Sequence, residues 1–156
     1  MAHLCGVRHE KALRHAVDMG LAMQLTNIAR DIATDAKLGR CYLPLDWCTE
    51  FGVSPDELMA EKNRGAVVAM TERMLAEADR LYASGDEGIQ YLPWRCALAV
   101  SAARHIYAEI GVRVAKKGEN AWDERVWVPF SRKLVLLLKG VIQATFSRPM
   151  RVSRQH

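Results

Sequence analysis

An all-α fold is what this sequence predicts, and three observations predict it. Apolar residues recur at helical spacing along nearly the whole length, and no run alternates as a half-buried strand would. Pro44, Pro55, Pro93 and Pro129 fall between the periodic runs, where a helix stops or begins. The chain has 156 residues, half hydrophobic and 26% charged, which is enough for one domain with a real core.

The first helix should run from about Glu10 to Ala36 and end near Gly39, with Pro44 preventing its resumption. Ser54-Pro55-Asp56-Glu57 reads as a helix start, in which Ser54 caps, Pro55 suits the first turn and Glu57 completes a capping box. A long helix is expected over Arg64 to Ala83, closed by Ser84-Gly85. Pro93 opens another that continues to about Lys117, where Gly118 ends it, and Pro129 introduces a last helix from Phe130 to Phe146. Repeats and low-complexity segments are absent.

The charge balance narrows the function classes. A net charge of +4 is a mild bias, with Arg132, Lys133, Lys139, Arg148, Arg151 and Arg154 gathered late in the chain. A solvated helix face and a frayed tail account for it, and no nucleic-acid partner is expected. Residues 148–156 are expected to be a disordered basic tail behind a domain over 1–147. Cys5, Cys41, Cys48 and Cys96 lack CxxC spacing, which argues against zinc and a disulfide framework and for a reducing compartment. The N-terminus has no apolar core of signal-peptide length, and Leu134 to Leu138 is far shorter than a membrane span. The expected location is the cytoplasm.

One stretch of the first helix, QLTNIARDIATD, keeps Gln24, Asn27, Asp31 and Asp35 together among Leu, Ile and Ala. With Gln24 at 0°, the other three fall at about −60°, −20° and +20°, an arc of about 80° that Gly20 shares. Leu21, Leu25, Ile28 and Ile32 form an adjoining apolar strip, and Ala22, Thr26, Ala29 and Ala33 a strip of small residues. A helix so apolar elsewhere should turn this stripe toward an enclosed polar cavity. Asp31 and Asp35 are neighbours roughly 6 Å apart along the axis, and their mutual repulsion is relieved by a cation. Oxygen ligands alone favour a hard ion, and Mg²⁺ usually takes one or two carboxylates plus substrate phosphates. Arg30 and Arg40 could hold phosphate oxygens. A solvated face of paired aspartates capped by arginine salt bridges explains the same spacing equally well. Spacing leaves both readings open.

The wider string GLAMQLTNIARDIATDAKLGRCYLP resembles the second aspartate-rich signature of the squalene/phytoene synthase family. The matching elements are Gln24, Asn27-Ile28, Arg30-Asp31, Asp35, Gly39-Arg40 and Tyr42-Leu43-Pro44. GVRHE upstream, Ala103 to Gly111, and Trp122 to Lys133 follow the family pattern more loosely. The resemblance covers most of this chain but only the C-terminal half of the family's domain, with bacterial phytoene synthases the nearest type.

This resemblance implies an isoprenoid-synthase-type helical bundle and a Mg²⁺-dependent head-to-head condensation of two prenyl diphosphates, with Mn²⁺ as a substitute metal. For phytoene synthases the substrate is geranylgeranyl diphosphate, and no nicotinamide cofactor is needed. Carried residue by residue, it makes Asn27, Asp31 and Asp35 the metal ligands. Arg30, Arg40 and Tyr42 fall beside the diphosphate, Arg30 and Tyr42 in catalytic roles and Tyr42 as a hydrogen-bond donor. Gln24 lines the cavity, and Tyr107 matches a late-helix tyrosine near it, although an ordinary packing tyrosine fits as well. His105 reads as a surface or packing histidine, and Trp94, Trp122 and Trp127 as core or loop anchors.

The family's first aspartate-rich motif has no counterpart here. Asp56-Glu57 lies at a helix start and Asp86-Glu87 in an expected loop. The chain is therefore expected to be a C-terminal part of a larger fold, binding Mg²⁺-diphosphate weakly and turning over little. A farnesyl-diphosphate enzyme making squalene, dehydrosqualene or hydroxysqualene is the rival within the class. A non-catalytic assembly factor of the family is the rival outside it. An apolar product implies peripheral contact with the inner face of the membrane, for which Leu134, Val135, Leu137 and Leu138 are the candidate surface.

Overall fold

Helix α1 (Glu10–Lys37) supplies the long axis against which the other helices pack. Its buried positions are Ala12, Met19, Ala22, Thr26, Ala29 and Ile32. The small-residue strip is thus the one driven inward, since Ala22 and Ala29 let a neighbouring backbone come close. Leu21, expected on an apolar strip, is exposed, while Leu25 and Ile28 are half-buried at the edge of the core. The structure, a computed structural model, describes residues 10–146. The basic tail expected over 148–156 and the GVRHE segment up to His9 lie outside the described residues.

The main partner of α1 is the helix Arg64–Gly88. Between them come a short helix α2 (Leu45–Glu50) and 3₁₀ turns at Pro55–Glu57 and Glu61–Asn63, so Arg64–Gly88 becomes α3. A 3₁₀ turn at Ile89–Tyr91 leads to α4 (Trp94–Lys117), another at Gly118–Trp122 follows, and α5 (Phe130–Phe146) lies mainly on α4. No strand occurs among the described residues, and none of their helices is long and apolar enough to cross a membrane. The all-α reading and the starts after Pro93 and Pro129 agree with the structure. Gly118 ends α4 at a φ of +54°, a conformation that favours glycine.

Three boundaries differ from the sequence expectation. Pro44 ends nothing but the loop, because α2 starts immediately behind it. Ser54 makes no side-chain cap bond, and its capping box gives only one 3₁₀ turn. The third helix runs through Ser84-Gly85 to Gly88, so Asp86-Glu87 is helical rather than looped. Gly85 is there for contact, since an added Cβ would meet the Met19 side chain at 2.8 and 2.9 Å. Asp86 is held by Arg104 of α4 at 2.9 Å, which ties the last turns of α3 into the bundle.

The core gathers Val67, Met70, Met74, Ile110, Val114 and Leu136 with the α1 strip. Full burial of side chains of this size stabilises by about 1.5–3 kcal/mol each. Inside it, Thr26 donates to the Ala22 carbonyl at 2.9 Å, so the Tyr82 hydroxyl donates to Thr26 at 3.0 Å. Burial pushes the Tyr82 phenol up to about 12, which keeps it a donor. Cys41 and Cys48 are free thiols, but Cys96 is disulfide-bonded, contrary to the expectation from spacing. Pairing follows from approach in space, which spacing along the chain does not encode.

Candidate functional site

The polar stripe of α1 lies on the side of the helix away from the buried small-residue strip. Gln24 and Gly20 are exposed, while Asn27, Asp31 and Asp35 are half-buried. The expected enclosed cavity is therefore an open groove among the described residues. The core draws in Ala22, Thr26 and Ala29, and the stripe is left outward as a consequence.

Asp31 sits at the centre of the charge arrangement. The Arg30 guanidinium forks onto it, Nε to Oδ1 at 2.9 Å and Nη2 to Oδ2 at 2.6 Å. Arg125 adds a third approach, Nε to Oδ1 at 3.3 Å. The hydrogen bonds from Arg30 hold the Asp31 carboxyl below its ordinary range, against the opposing pull of burial. The same bond raises the Arg30 guanidinium, so the pair is fully ionised. Asp31 and Arg30 are only partly screened, with side chains 21% and 15% exposed.

Asp35 is different in kind, because its carboxylate has no hydrogen bond or ion pair among the described residues. Its carbonyl accepts from the amides of Leu38 and Arg40, both at 2.9 Å, and Gly39 turns the chain at a φ of +69°. That turn folds Arg40 and Tyr42 back toward Asp35, and the three line one crevice of about 10 Å³ with Ile28, Ile32 and Leu58. The amides of Asn27 and Gln24 likewise have no hydrogen-bond partner among the described residues. Tyr107 is half-buried on α4 and packs against the Met19, Ala22 and Tyr82 cluster. It stays close enough to Arg30 to influence its charge.

Two features escaped sequence reasoning. Arg125 belongs to a loosely patterned segment, and only the fold brings it to Asp31. Trp122 donates its indole N–H to the Ala29 carbonyl at 2.9 Å, pinning that loop to α1. The second is an apolar cavity of about 220 Å³ between α1, α3 and α4. Gly20, Ala16 and Met19 of α1 face it, with Gly85 and Gly88 of α3 and Val100 of α4. It begins one turn N-terminal to Gln24, so α1 carries a polar groove and an apolar pocket in succession. No alternation or motif marked it, because its walls come from three helices.

The donor set decides which metal the groove could take. No group of three His, Cys, Asp or Glu gathers among the described residues. That excludes a closed all-protein cage there but fits Mg²⁺, which is held by one or two carboxylates and completed by phosphate or water. Asp35 and Asn27 offer unengaged oxygens, and Asp31 offers an ionised carboxylate that Arg30 and Arg125 already orient.

Known proteins are similar to this chain in sequence and in fold. The family model described as squalene/phytoene synthase matches residues 1–133. The phytoene synthase of Pseudescherichia vulneris is 42% identical over 153 residues, covering 98% of this chain and 50% of the relative. The 15-cis-phytoene synthase of Pantoea ananas is 44% identical over 148 residues, covering 95% of this chain and 48% of the relative. A crystal structure of a dehydrosqualene synthase in complex with ligand superposes with a TM-score of 0.75 at 32% identity. It matches 85% of this chain and 47% of the other. The chain thus spans about half the length of the relatives it matches.

Proposed function

Because the chain belongs to the squalene/phytoene synthase family, we propose that it contributes one diphosphate-binding face to a phytoene-forming prenyltransferase. The substrate in this reading is geranylgeranyl diphosphate, joined head to head with a second molecule. The observation that carries it is the succession on α1 of an ionised groove and an apolar cavity. Ala16 lies fifteen residues before Asp31, about 22 Å along the axis at ~1.5 Å per residue. A long prenyl chain with its diphosphate at Asp31 and Asp35 would reach the cavity along one helix.

Each residue then has a chemical task. Asp31, Asp35 and Asn27 would hold Mg²⁺, which when bound supplies Lewis-acid stabilisation of the departing diphosphate. Arg30 orients Asp31 and keeps it ionised, and its guanidinium can turn from carboxylate to phosphate oxygen without losing a charged partner. Arg125 stands on the other side of Asp31 and can do the same. Arg40 and Tyr42 flank Asp35, where Tyr42, 52% exposed, has its hydroxyl available as a donor to the leaving oxygen. Gln24 lies between the groove and the cavity, seven residues or about 10 Å before Asp31 and so at the level of the middle of the chain. The apolar walls would hold the far end of the prenyl chain out of water.

A farnesyl-diphosphate substrate is the second reading, favoured by the superposition on a dehydrosqualene synthase. Gly20→Leu separates the two. An added Cβ at Gly20 meets nothing within 4 Å, so the larger side chain enters the cavity without straining the fold. If the cavity takes the far end of a geranylgeranyl chain, Gly20→Leu weakens geranylgeranyl diphosphate binding at least fivefold and spares farnesyl diphosphate. Equal effects on both, in equilibrium titrations with Mg²⁺, would discard the longer substrate.

A further inference from the structure

A cleft of about 430 Å³ opens between the last turns of α4 and the segment 124–129. Arg113, Lys116 and Lys117 line one wall, at the i, i+3 and i+4 spacing that puts them on a single face of α4. Arg125 and Trp127 line the other, and Glu124 is the one carboxylate in the lining. Burial alternates along this segment. Val126 and Val128 are 5% and 2% exposed, whereas Trp127 between them is 68% exposed. The two valines, set in the core, hold Arg125 and Trp127 outward, and Trp122 and Asp123 anchor the chain just before them.

The positive charge of the cleft is only partly matched. Arg113 shares Glu109 with Arg132, at 3.1 and 3.0 Å, so one carboxylate serves two guanidiniums. Lys116 and Lys117 have no ion pair or hydrogen bond among the described residues, and neither has the Trp127 indole N–H. Cations in the last turn of a helix offset its dipole. That accounts for Lys116 and Lys117 but not for the arginine and tryptophan across from them. Ammonium and guanidinium groups bind phosphate oxygens directly, and an exposed indole adds a further donor. The aspartates of the α1 groove need a metal between themselves and a phosphate, whereas this cleft needs none. We propose that the cleft is a second, metal-independent site for a phosphate group, borne by inorganic diphosphate or by an acidic lipid headgroup. Arg125 also meets Asp31 at 3.3 Å, so one guanidinium borders both groove and cleft and could hand a departing diphosphate from one to the other. The choice of diphosphate as source rests on the proposed reaction, and the site itself does not.

The test is calorimetric titration of the chain with inorganic diphosphate in the presence of a metal chelator. Beside it runs co-sedimentation with neutral vesicles containing or lacking phosphatidylglycerol. Diphosphate is expected to bind without Mg²⁺, and Lys116→Ser combined with Lys117→Ser should weaken it at least tenfold. Lys133→Ser with Lys139→Ser removes the same charge from exposed positions of α5 and should leave binding within about twofold. Asp35→Asn should also leave it within about twofold, and Trp127→Phe should abolish the change in tryptophan emission on binding. Vesicle binding that needs phosphatidylglycerol and Lys116 and Lys117, with no binding of free diphosphate, would assign the phosphate to a headgroup. Absence of binding in both arms would overturn the proposal. Equal loss in the two lysine pairs would do the same, as would binding that requires Mg²⁺ and falls with Asp35→Asn. Diphosphate bound in chelator by a chain that takes no geranylgeranyl diphosphate with Mg²⁺ would sink the proposed reaction and leave the cleft standing.

Discussion

Asp31 and His105 show how single residues tie the fold to pH. Asp31 titrates below its ordinary 3.8 because Arg30 donates two hydrogen bonds to the ionised form. Its stabilisation is complete above that value and is lost as pH falls through the lower folded one. His105 also titrates below its ordinary 6.5, first because it is buried and next because Arg104 is nearby. Its Nε2 is buried without a hydrogen-bond partner among the described residues, so protonation there is costly. A depressed histidine gives stability that is present above pH 6.5 and drains as pH falls through the folded value. Urea unfolding should therefore show stability declining below about pH 6.5, and His105→Gln should flatten the upper part of that decline. An unchanged profile in His105→Gln would place the acid sensitivity elsewhere. Reading the sequence assigned His105 no more than a packing role, since depth of burial has no signature in one residue. Asp31 and Arg30 were legible as partners because they are adjacent, whereas Arg125 is 94 positions away and comes in on a segment anchored by Trp122, by Asp123 on Arg64 and by the burial of Val126.

At the scale of elements, close approach of helices decides which residues matter. Pro93, Gly118 and Pro129 were legible as boundaries because each acts through its own backbone. Ser84-Gly85 misled because a glycine inside a helix looks like a stop until its neighbour is known. Gly85 admits Met19, and an added Cβ at Gly88 would lie 2.5 Å from the His15 Cβ. Ser84 joins the same seam, donating its one hydroxyl proton to Asp18 at 2.5 Å and therefore accepting from His15 Nδ1 at 3.2 Å. Gly88→Ala would gain about 1 kcal/mol of helix propensity yet should destabilise the chain by about 1–3 kcal/mol through overpacking. A melting temperature equal to or above that of the native chain would contradict this account of the α1–α3 contact. The Thr26–Tyr82 pair gives a second comparison. Tyr82→Phe leaves Thr26 bonded to the Ala22 carbonyl and should cost about 0.5–1.5 kcal/mol. Thr26→Val orphans a buried phenol and should cost more, about 1–3 kcal/mol. The reverse order in urea titrations would mean that the hydroxyls are bonded otherwise.

For the whole molecule, the question is what half a family fold can do. The helical class and the α1 motif were legible from the chain alone, because periodicity and QLTNIARDIATD are local. The openness of the groove was not, since it depends on which strip of α1 the core draws in. Ala22 and Ala29 were drawn in, so the metal-binding reading and the wet-face reading now describe the same surface. An arginine-capped aspartate is what the groove shows, and an arginine-capped aspartate is also a site prepared to exchange its partner for a phosphate. The two readings part on Asp35, whose carboxylate is unpaired among the described residues. The direct measurement is calorimetric titration of the chain with geranylgeranyl diphosphate, with and without Mg²⁺, and the same titration of Asp35→Asn. The account predicts binding that requires Mg²⁺ and weakens at least tenfold in Asp35→Asn while the melting temperature holds. Binding that is indifferent to both Mg²⁺ and Asp35 would contradict it.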